Sequence, residues 1–276
     1  EKGLFMSYSL SHWSGRLGNN IQQVANCIML AEKNGGEVNQ NLDHDIIGKF
    51  SHKFGDNNES ASGRFYAWEP LAHCDKGIFE GGNEIGMDRD YVYENIRRVC
   101  KDYLAPHLKL PEKEPIGDDT IVMHLRSGDM YFKVFERPIN YVPNPLIFYT
   151  NLIESFDKCI LITEEDRMNP VIHELEKIDK VQIQISSVED DFATLMSAKN
   201  LALSGVGTFA MGAALCSSQL KNLYTTDLLL SEHLNYSMFF NTDVKMNVME
   251  LEDYIPVYPC SWSNSEEQRQ FVLDYR

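Results

Sequence analysis

Ile121-Val122-Met123-His124-Leu125-Arg126-Ser127-Gly128-Asp129-Met130-Tyr131 is the stretch on which the fold turns. An apolar run of strand length carries His124, Arg126 and Asp129 to the point where a buried strand gives way to a loop. Side chains two apart on a strand share a face, so His124 and Arg126 point together while Gly128 leaves room beside them. In an open parallel sheet, ligands bind in the crevice outside the carboxyl ends of the strands. The planar fork of an arginine there suits a phosphate. The plainer account is a strand-end arginine paired with a structural aspartate.

Outward from this stretch, strand and helix patterns alternate. Strands are read at Thr120 to Leu125, Lys158 to Thr163, Lys180 to Ile185, Asn200 to Ser204 and Asn222 to Thr225. Helices fall between them at Pro145 to Phe156, Asn169 to Ile178, Glu189 to Ala198 and Phe209 to Cys216. Such alternation implies a parallel, doubly wound α/β sheet. Toward the amino end, Ile21, Val24, Ala25, Ile28 and Met29 have helical spacing over Ile21 to Lys33, closed by Gly35-Gly36. Residues 39 to 63 are polar and rich in Asn, Asp, Gly and Ser, and read as an extended loop region. Tyr91 to Leu104 reads as a helix and Pro106 to Pro115 as a linker. The chain thus divides into residues 1–115 and 116–276. A helix from Glu266 to Tyr275 folds back on either half, the first lobe included.

The 276 residues, 43% of them hydrophobic, suit one large or two modest domains. No apolar run approaches the roughly 20 residues of a bilayer helix, so no membrane segment is expected. A formal charge of −16 disfavours nucleic acid, which demands a basic stripe. A small anion remains within reach of a few placed arginines. Six widely spaced cysteines form no zinc-ligand pattern. Cys27, Cys159 and Cys216 read as small core residues, while a pairing among Cys74, Cys100 and Cys260 stays open. The sequons Asn58-Glu59-Ser60 and Asn235-Tyr236-Ser237 do not decide between a cytoplasmic chain and the lumenal part of a secretory-pathway enzyme.

Three further motifs compete for attention. Gly205-Val206-Gly207-Thr208-Phe209-Ala210 fits the dinucleotide fingerprint, with Asp227 about 20 residues on as the ribose acid. That reading makes the protein an NAD-dependent oxidoreductase. It places the fingerprint in the last complete strand–helix unit, whereas dinucleotide folds carry it in the first. The same residues, at a helix N-terminus beside the Thr208 hydroxyl, suit any diphosphate; a glycine turn needed only for packing is the third account. Asp43-His44-Asp45 and Asp88-Arg89-Asp90 match the Asp-x-Asp pattern of metal-assisted sugar transferases, but solvated charge explains them better in a chain with 41 acidic residues. Gly15-Arg16-Leu17-Gly18-Asn19-Asn20 opens the first helix as a second glycine-rich element.

Gly15 to Asn20, followed by Gln23 and Ala25, resembles the Gly-x-Leu-Gly-Asn-Gln start of the α-1,2-fucosyltransferases. His124-Leu125-Arg126-Ser127-Gly128-Asp129 is similar to the His-x-Arg-x-Gly-Asp signature shared by α-1,2-, α-1,6- and protein O-fucosyltransferases. Asp190-Asp191-Phe192 through Met196-Ser197-Ala198 to Ser204-Gly205-Val206-Gly207-Thr208-Phe209 resembles the family's Asp-x-x-x-(Leu/Met)-Ser segment leading to Ser-Thr-Phe-Ser. The three matches keep the family's order. The resemblance implies a GT-B fold, two Rossmann-like lobes with a cleft between them, the acceptor on residues 1–115 and GDP-fucose on residues 116–276. It also implies work without a metal or other cofactor. It puts Arg126 on the diphosphate, His124 and Asp191 near the guanine, and Gly207, Thr208 and Phe209 in the phosphate-binding segment. Gly18 and Asn19 belong to the loop that reaches the donor from the first lobe, with Arg16 beside them. Asn20 stands where the family has Gln, Ala210-Met211-Gly212 replaces Ser-Trp-Trp, and Pro143 to Tyr149 differs in detail. Another nucleotide sugar is therefore the alternative donor.

The expected reaction is transfer of L-fucose from GDP-fucose to a hydroxyl of an oligosaccharide or glycoprotein, with inversion. Arg126, the Thr208 helix terminus and the Arg16 loop would stabilise charge growing on the leaving phosphate. A carboxylate would take the acceptor proton. Asp129 and Glu136 are the nearest, with Asp43 and Asp75 in reserve, and Asp129 serves equally well to orient Arg126. A non-catalytic glycan-binding module is the reading from a third class.

Overall fold

The computed structural model describes residues 5–10, 12–55, 60–67, 87, 89–132, 142–229, 236–254 and 262–276. Its larger sheet contains β5 (Thr120–Leu125), β6 (Lys158–Thr163), β7 (Val181–Gln184), β8 (Asn200–Ala202), β9 (Asn222–Thr226) and β10 (Lys245–Met249). All neighbouring pairs run parallel, in the order β10-β9-β8-β5-β6-β7. Counted from β5 this is the 3-2-1-4-5-6 winding of a Rossmann-like sheet, which reverses between β5 and β8. Every residue of β5 is buried, as suits a central strand covered on both faces. The register Val122 to Leu201 and Met123 to Ala202 holds β5 against β8, so their following loops leave the sheet side by side.

The helices fall where the alternation places them: α3 (Leu146–Glu154), α4 (Pro170–Leu175), α5 (Val188–Met196) and α6 (Phe209–Cys216). α4 starts with Pro170 behind an Asn169 cap whose Oδ1 accepts from the Val171 amide at 3.0 Å, a favourable first turn. α7 (Glu266–Asp274) opens with a Ser265/Gln268 capping box. It packs on α3 and α4, in the second half of the chain. The edge strand β10, Lys245-Met246-Asn247-Val248-Met249, escapes a reading by pattern because it is only five residues long and half-exposed.

The first half holds a four-stranded sheet, β3-β2-β1-β4, of β1 (Phe5–Leu10), β2 (Glu37–Gln40), β3 (Phe50–Lys53) and β4 (Ser60–Ala67). β1 runs parallel to β2 and β4, and β3 is antiparallel to β2. The reading of residues 39 to 63 as loop is corrected here. β2 and β3 lie within or across that span; β3 is the edge strand, with Ser51, His52 and Lys53 exposed, and β2 inside it buries Val38 and Gln40. α2 (Arg89–Val99) continues as a π turn over Cys100–Leu104 where one regular helix to Leu104 was expected. The proline-rich segment after it is anchored at both ends. Leu108 bridges Ile47, and the Ile116 amide donates to the Ser197 carbonyl at 2.9 Å.

α1 (Leu17–Asn34) lies between the halves. Gly35 caps it with φ 66, its amide and that of Gly36 returning to Glu32 and Ala31. A one-sided helix would bury a single stripe, but α1 buries Ile21, Val24, Ile28 and also Asn20, Gln22, Gln23 and Asn26. Gly18 and Ile21 of α1 meet Gly212 of α6, and one apolar core runs from Tyr8 and Val38 through Ile28 to Val122, Leu201 and Ala214. Arg97 of α2 reinforces this contact: it donates to the Ala214 carbonyl at 2.7 Å and lies 3.5 Å from Asp243. Cys27, Cys159 and Cys216 are buried core residues, and Cys100 is buried with them as a free thiol; Cys74 and Cys260 lie outside the described residues. No helix among the described residues is long and apolar enough to cross a membrane.

Ile28 is fully buried in the core shared by both sheets. Ile28→Ala should lower stability by about 2–5 kcal/mol. Urea unfolding followed by both far-UV circular dichroism and tryptophan fluorescence should give one coincident transition; two separated transitions would contradict a shared core.

Candidate functional site

The site grows from the reversal of the sheet. Beyond β5, Ser127 is fully buried. Its amide donates to Glu164 Oε2, its hydroxyl donates to Asp166, and it accepts from the Asn169 amide at 3.0 Å. The Asn169 side chain also donates to the Arg126 carbonyl at 3.0 Å. The segment from Glu164 to Asn169 follows β6, so the neighbouring strand clamps the loop that carries Arg126. Gly128 has φ 59, and a methyl group there would stand 3.0 Å from Glu164 Oε1, so both the backbone and the space favour glycine.

Beyond β8, Ser204 donates to the Val206 carbonyl at 2.7 Å. The Ser204 proton being so used, His124 Nδ1, 3.1 Å from Ser204 Oγ, donates to it, and Nε2 is left without a proton. Gly207 turns with φ 107, and a methyl built on it would stand 3.3 Å from both Cδ and Nη1 of Arg126. The guanidinium therefore lies against the loop that opens α6. Thr208 does not cap α6, because its hydroxyl donates to Asn19 Oδ1 at 2.8 Å. The first amide to bond back along the helix is that of Gly212, to Thr208, which leaves the earlier first-turn amides for an anion.

The first half supplies the opposing wall. Gly18 touches Thr208 so closely that any side chain at 18 would overlap the Thr208 backbone. Buried polar groups of α1 hold the preceding loop: Gln23 accepts from the Ser14 amide at 3.1 Å, Gln23 donates to His12 O, and Asn20 donates to Ser14 O. His44 Nδ1 accepts from the Ile46 and Ile47 amides, so its Nε2 donates to Asn20 Oδ1 at 3.3 Å. Arg16 stands mostly in solvent, with Nη1 3.6 Å from Glu164 Oε1 across the gap.

Between the walls lies a cavity of about 720 Å³, within the span common for small-molecule sites. Arg16, Gly18 and Asn19 line it, as do His124, Arg126, Asp191, Gly207, Thr208 and Phe209. All nine binding residues expected from the sequence therefore share one space. At its far side Asp191 accepts from Gln184 Nε2 at 2.7 Å and from the Ser186 amide at 3.3 Å, and burial raises its pKa. Ile185 and Val188, both exposed apolar side chains, flank that end.

The carboxylates sort differently. Asp129 Oδ1 accepts from Arg126 Nη2 at 3.0 Å and does not line the cavity, so the geometry gives it the orienting role. Glu136 and Asp75 lie outside the described residues, and Asp43 pairs with Lys49 at 2.7 Å. The Asp43-His44-Asp45 triplet does not converge as a ligand set, since Asp43 faces Lys49 and His44 Nδ1 is taken by amides. Asp88 lies outside the described residues. Asp227, the ribose acid of the fingerprint reading, accepts from the Leu251 amide at 3.2 Å. Glu164 is the acid the sequence reading missed. It lines the cavity, and burial raises its pKa despite the opposing Ser127 amide, Arg126 and Arg16. Its only sequence signal is its place: Thr163-Glu164-Glu165-Asp166 closes an apolar strand at the same sheet edge as Arg126.

No family model, curated protein or solved structure matches this chain.

Two outcomes follow from this geometry. Gly18→Ala should destabilise by about 1–3 kcal/mol, as overpacking does, seen as a lower melting temperature; an unchanged one would mean the Gly18–Thr208 contact is loose. Burial, and then Arg126, lower the His124 pKa from 6.5 to about 3. The unfolded chain then takes up a proton that the folded site refuses, so stability present above pH 6.5 should decline as pH falls from there toward 3. The His124 imidazole should show no NMR titration between pH 5 and 8.

Proposed function

We propose that the chain is an inverting, metal-independent glycosyltransferase of GT-B architecture, transferring L-fucose from GDP-fucose to a hydroxyl of a glycan. The carrying observation is that the Arg126 guanidinium packs against Gly207 at the uncapped start of α6. Arg16 and Gly18 of the first half face the same cavity. Cation, backbone amides and helix dipole there act on one anion.

In this reading the smaller sheet belongs to the acceptor lobe, residues 1–115, and the parallel sheet to the donor lobe, residues 116–276. Asp191 and His124 take the base, with Ile185 and Val188 against its plane. The diphosphate lies between Arg126 and α6, and the sugar faces the first lobe. As the C1–O bond breaks, its electron pair moves onto the β-phosphate oxygen, where preorganised donors stabilise the charge without reorganising. The motif resemblance to fucosyltransferases selects the donor; the site chemistry alone supports any nucleoside diphosphate sugar.

The oxidoreductase reading has less support. In this winding the dinucleotide fingerprint belongs after the first strand, here β5, and the β5 loop is Arg126-Ser127-Gly128. The glycine pattern follows the fourth strand, and each glycine has a packing reason: a methyl at Gly205 would overlap the Asn144 side chain, and Gly207 faces Arg126.

A thermal-shift panel of GDP-fucose, GDP-mannose, UDP-xylose, UDP-galactose and NAD, with and without EDTA, tests the reading. GDP-fucose should raise the melting temperature most, with no effect of EDTA. Arg126→Ala should abolish that shift and lower kcat about 10²–10³-fold, the usual loss for one such donor. A response to NAD alone, or full activity in Arg126→Ala, would remove the proposal.

A further inference from the structure

Resting on the transferase reading, we propose that Glu164 is the general base that accepts the proton of the attacking acceptor hydroxyl. Glu164 stands where the two halves meet: Oε2 is fixed by the Ser127 amide, while Oε1 lies toward Arg16 of the first half and beside Gly128. One oxygen is thereby immobilised and the other faces the gap, with 33% of the side chain accessible. Gly128 matters to this arrangement, because a side chain there would crowd Oε1.

The other carboxylates at or near the cavity have different employment. Asp129 is bonded to Arg126, and Asp191 is held by Gln184 and the Ser186 amide at the opposite end. Asp45 and Glu165 line the wall but are exposed, and Glu189 lines it from the first turn of α5, at the far end with Asp191. Glu164 lies in the gap between Arg126 of the second half and Arg16 of the first, so its free oxygen borders the space that sugar and acceptor would share.

The step balances without a further reactant. The acceptor oxygen forms a bond to C1 of the sugar, the C1–O bond to the β-phosphate breaks, its electron pair stays on GDP, and the hydroxyl proton passes to Glu164 and then to solvent. The charged groups facing Glu164 are Arg16, Arg126 and Asp166. Burial outweighs the two cations and holds its pKa above the ordinary carboxylate value, as suits a base working near neutrality. A base must be ionised, so activity is lost as pH falls through that raised pKa.

The test compares wild type, Glu164→Gln and Glu164→Asp in GDP-fucose transfer across pH 4.5 to 9, alongside the GDP thermal shift. Glutamine keeps an oxygen for the Ser127 amide, so the loop and GDP binding should persist. The proposal expects kcat to fall about 10²–10⁴-fold in Glu164→Gln, the usual scale of general base catalysis, with GDP stabilisation retained and the acidic limb of the profile gone. Aspartate should restore part of kcat with a shifted limb. Retained kcat in Glu164→Gln, an unchanged acidic limb, or loss of GDP binding in parallel with activity would overturn it. A wild type that responds to no nucleotide sugar overturns the transferase reading itself, which separates the two failures.

Discussion

The Arg126 guanidinium and the Gly207-Thr208 turn press against each other at the start of α6, and the arrangement of the molecule follows from that contact. It exists because β5 and β8 are hydrogen-bonded neighbours at the point where the winding reverses. Their loops leave the sheet side by side and lead to helices with different neighbours, α3 packing with α4 and α7 and α6 with α1 and α5, and a crevice opens where the winding reverses. Gly207 must be glycine for two reasons: its φ of 107 disfavours a side chain, and Arg126 occupies the space a side chain would need. An arginine held in that position by Asp129 is preorganised, so an incoming anion meets a guanidinium already in place.

Two shells of buried polar residues support the contact, one in each half. Ser127 and Asn169 hold the Arg126 loop against the segment after β6, while Asn20 and Gln23 hold the His12–Ser14 segment from α1. Buried polar groups are costly unless satisfied, and Asn169, Asn20 and Gln23 each direct a hydrogen bond at loop backbone. The continuous core through α1 and α6 then fixes one shell relative to the other. Gly18 lets the two halves approach to backbone contact, and the Thr208 hydroxyl is given to Asn19, which leaves the first-turn amides of α6 to other partners.

Much of the second half was legible because its strands are central and apolar. β5, β6 and α6 match their sequence readings end to end, since a covered strand must be apolar throughout and each run ends at a turn residue. The first half was less so. β2 and β3 are four residues each, and β2 buries the polar Gln40 beside Val38, so no apolar period stands out in Glu37-Val38-Asn39-Gln40. The nine residues that line the cavity were legible through motifs, while the place of the carboxylates was not. Asp129 read either as a base or as the partner that orients Arg126, and its three-residue spacing lets it pair with that guanidinium. Glu164 was hidden among 41 acidic residues, because its burial and its contact with Ser127 come from a strand 37 residues away in sequence.

A crystal structure with GDP bound tests the central claim most directly. The account places the pyrophosphate between the Arg126 guanidinium and the first-turn amides of α6, with Arg16 within reach from the other half. Density for the nucleotide elsewhere on the molecule, or a pyrophosphate touching neither Arg126 nor the residues around Thr208, would contradict it.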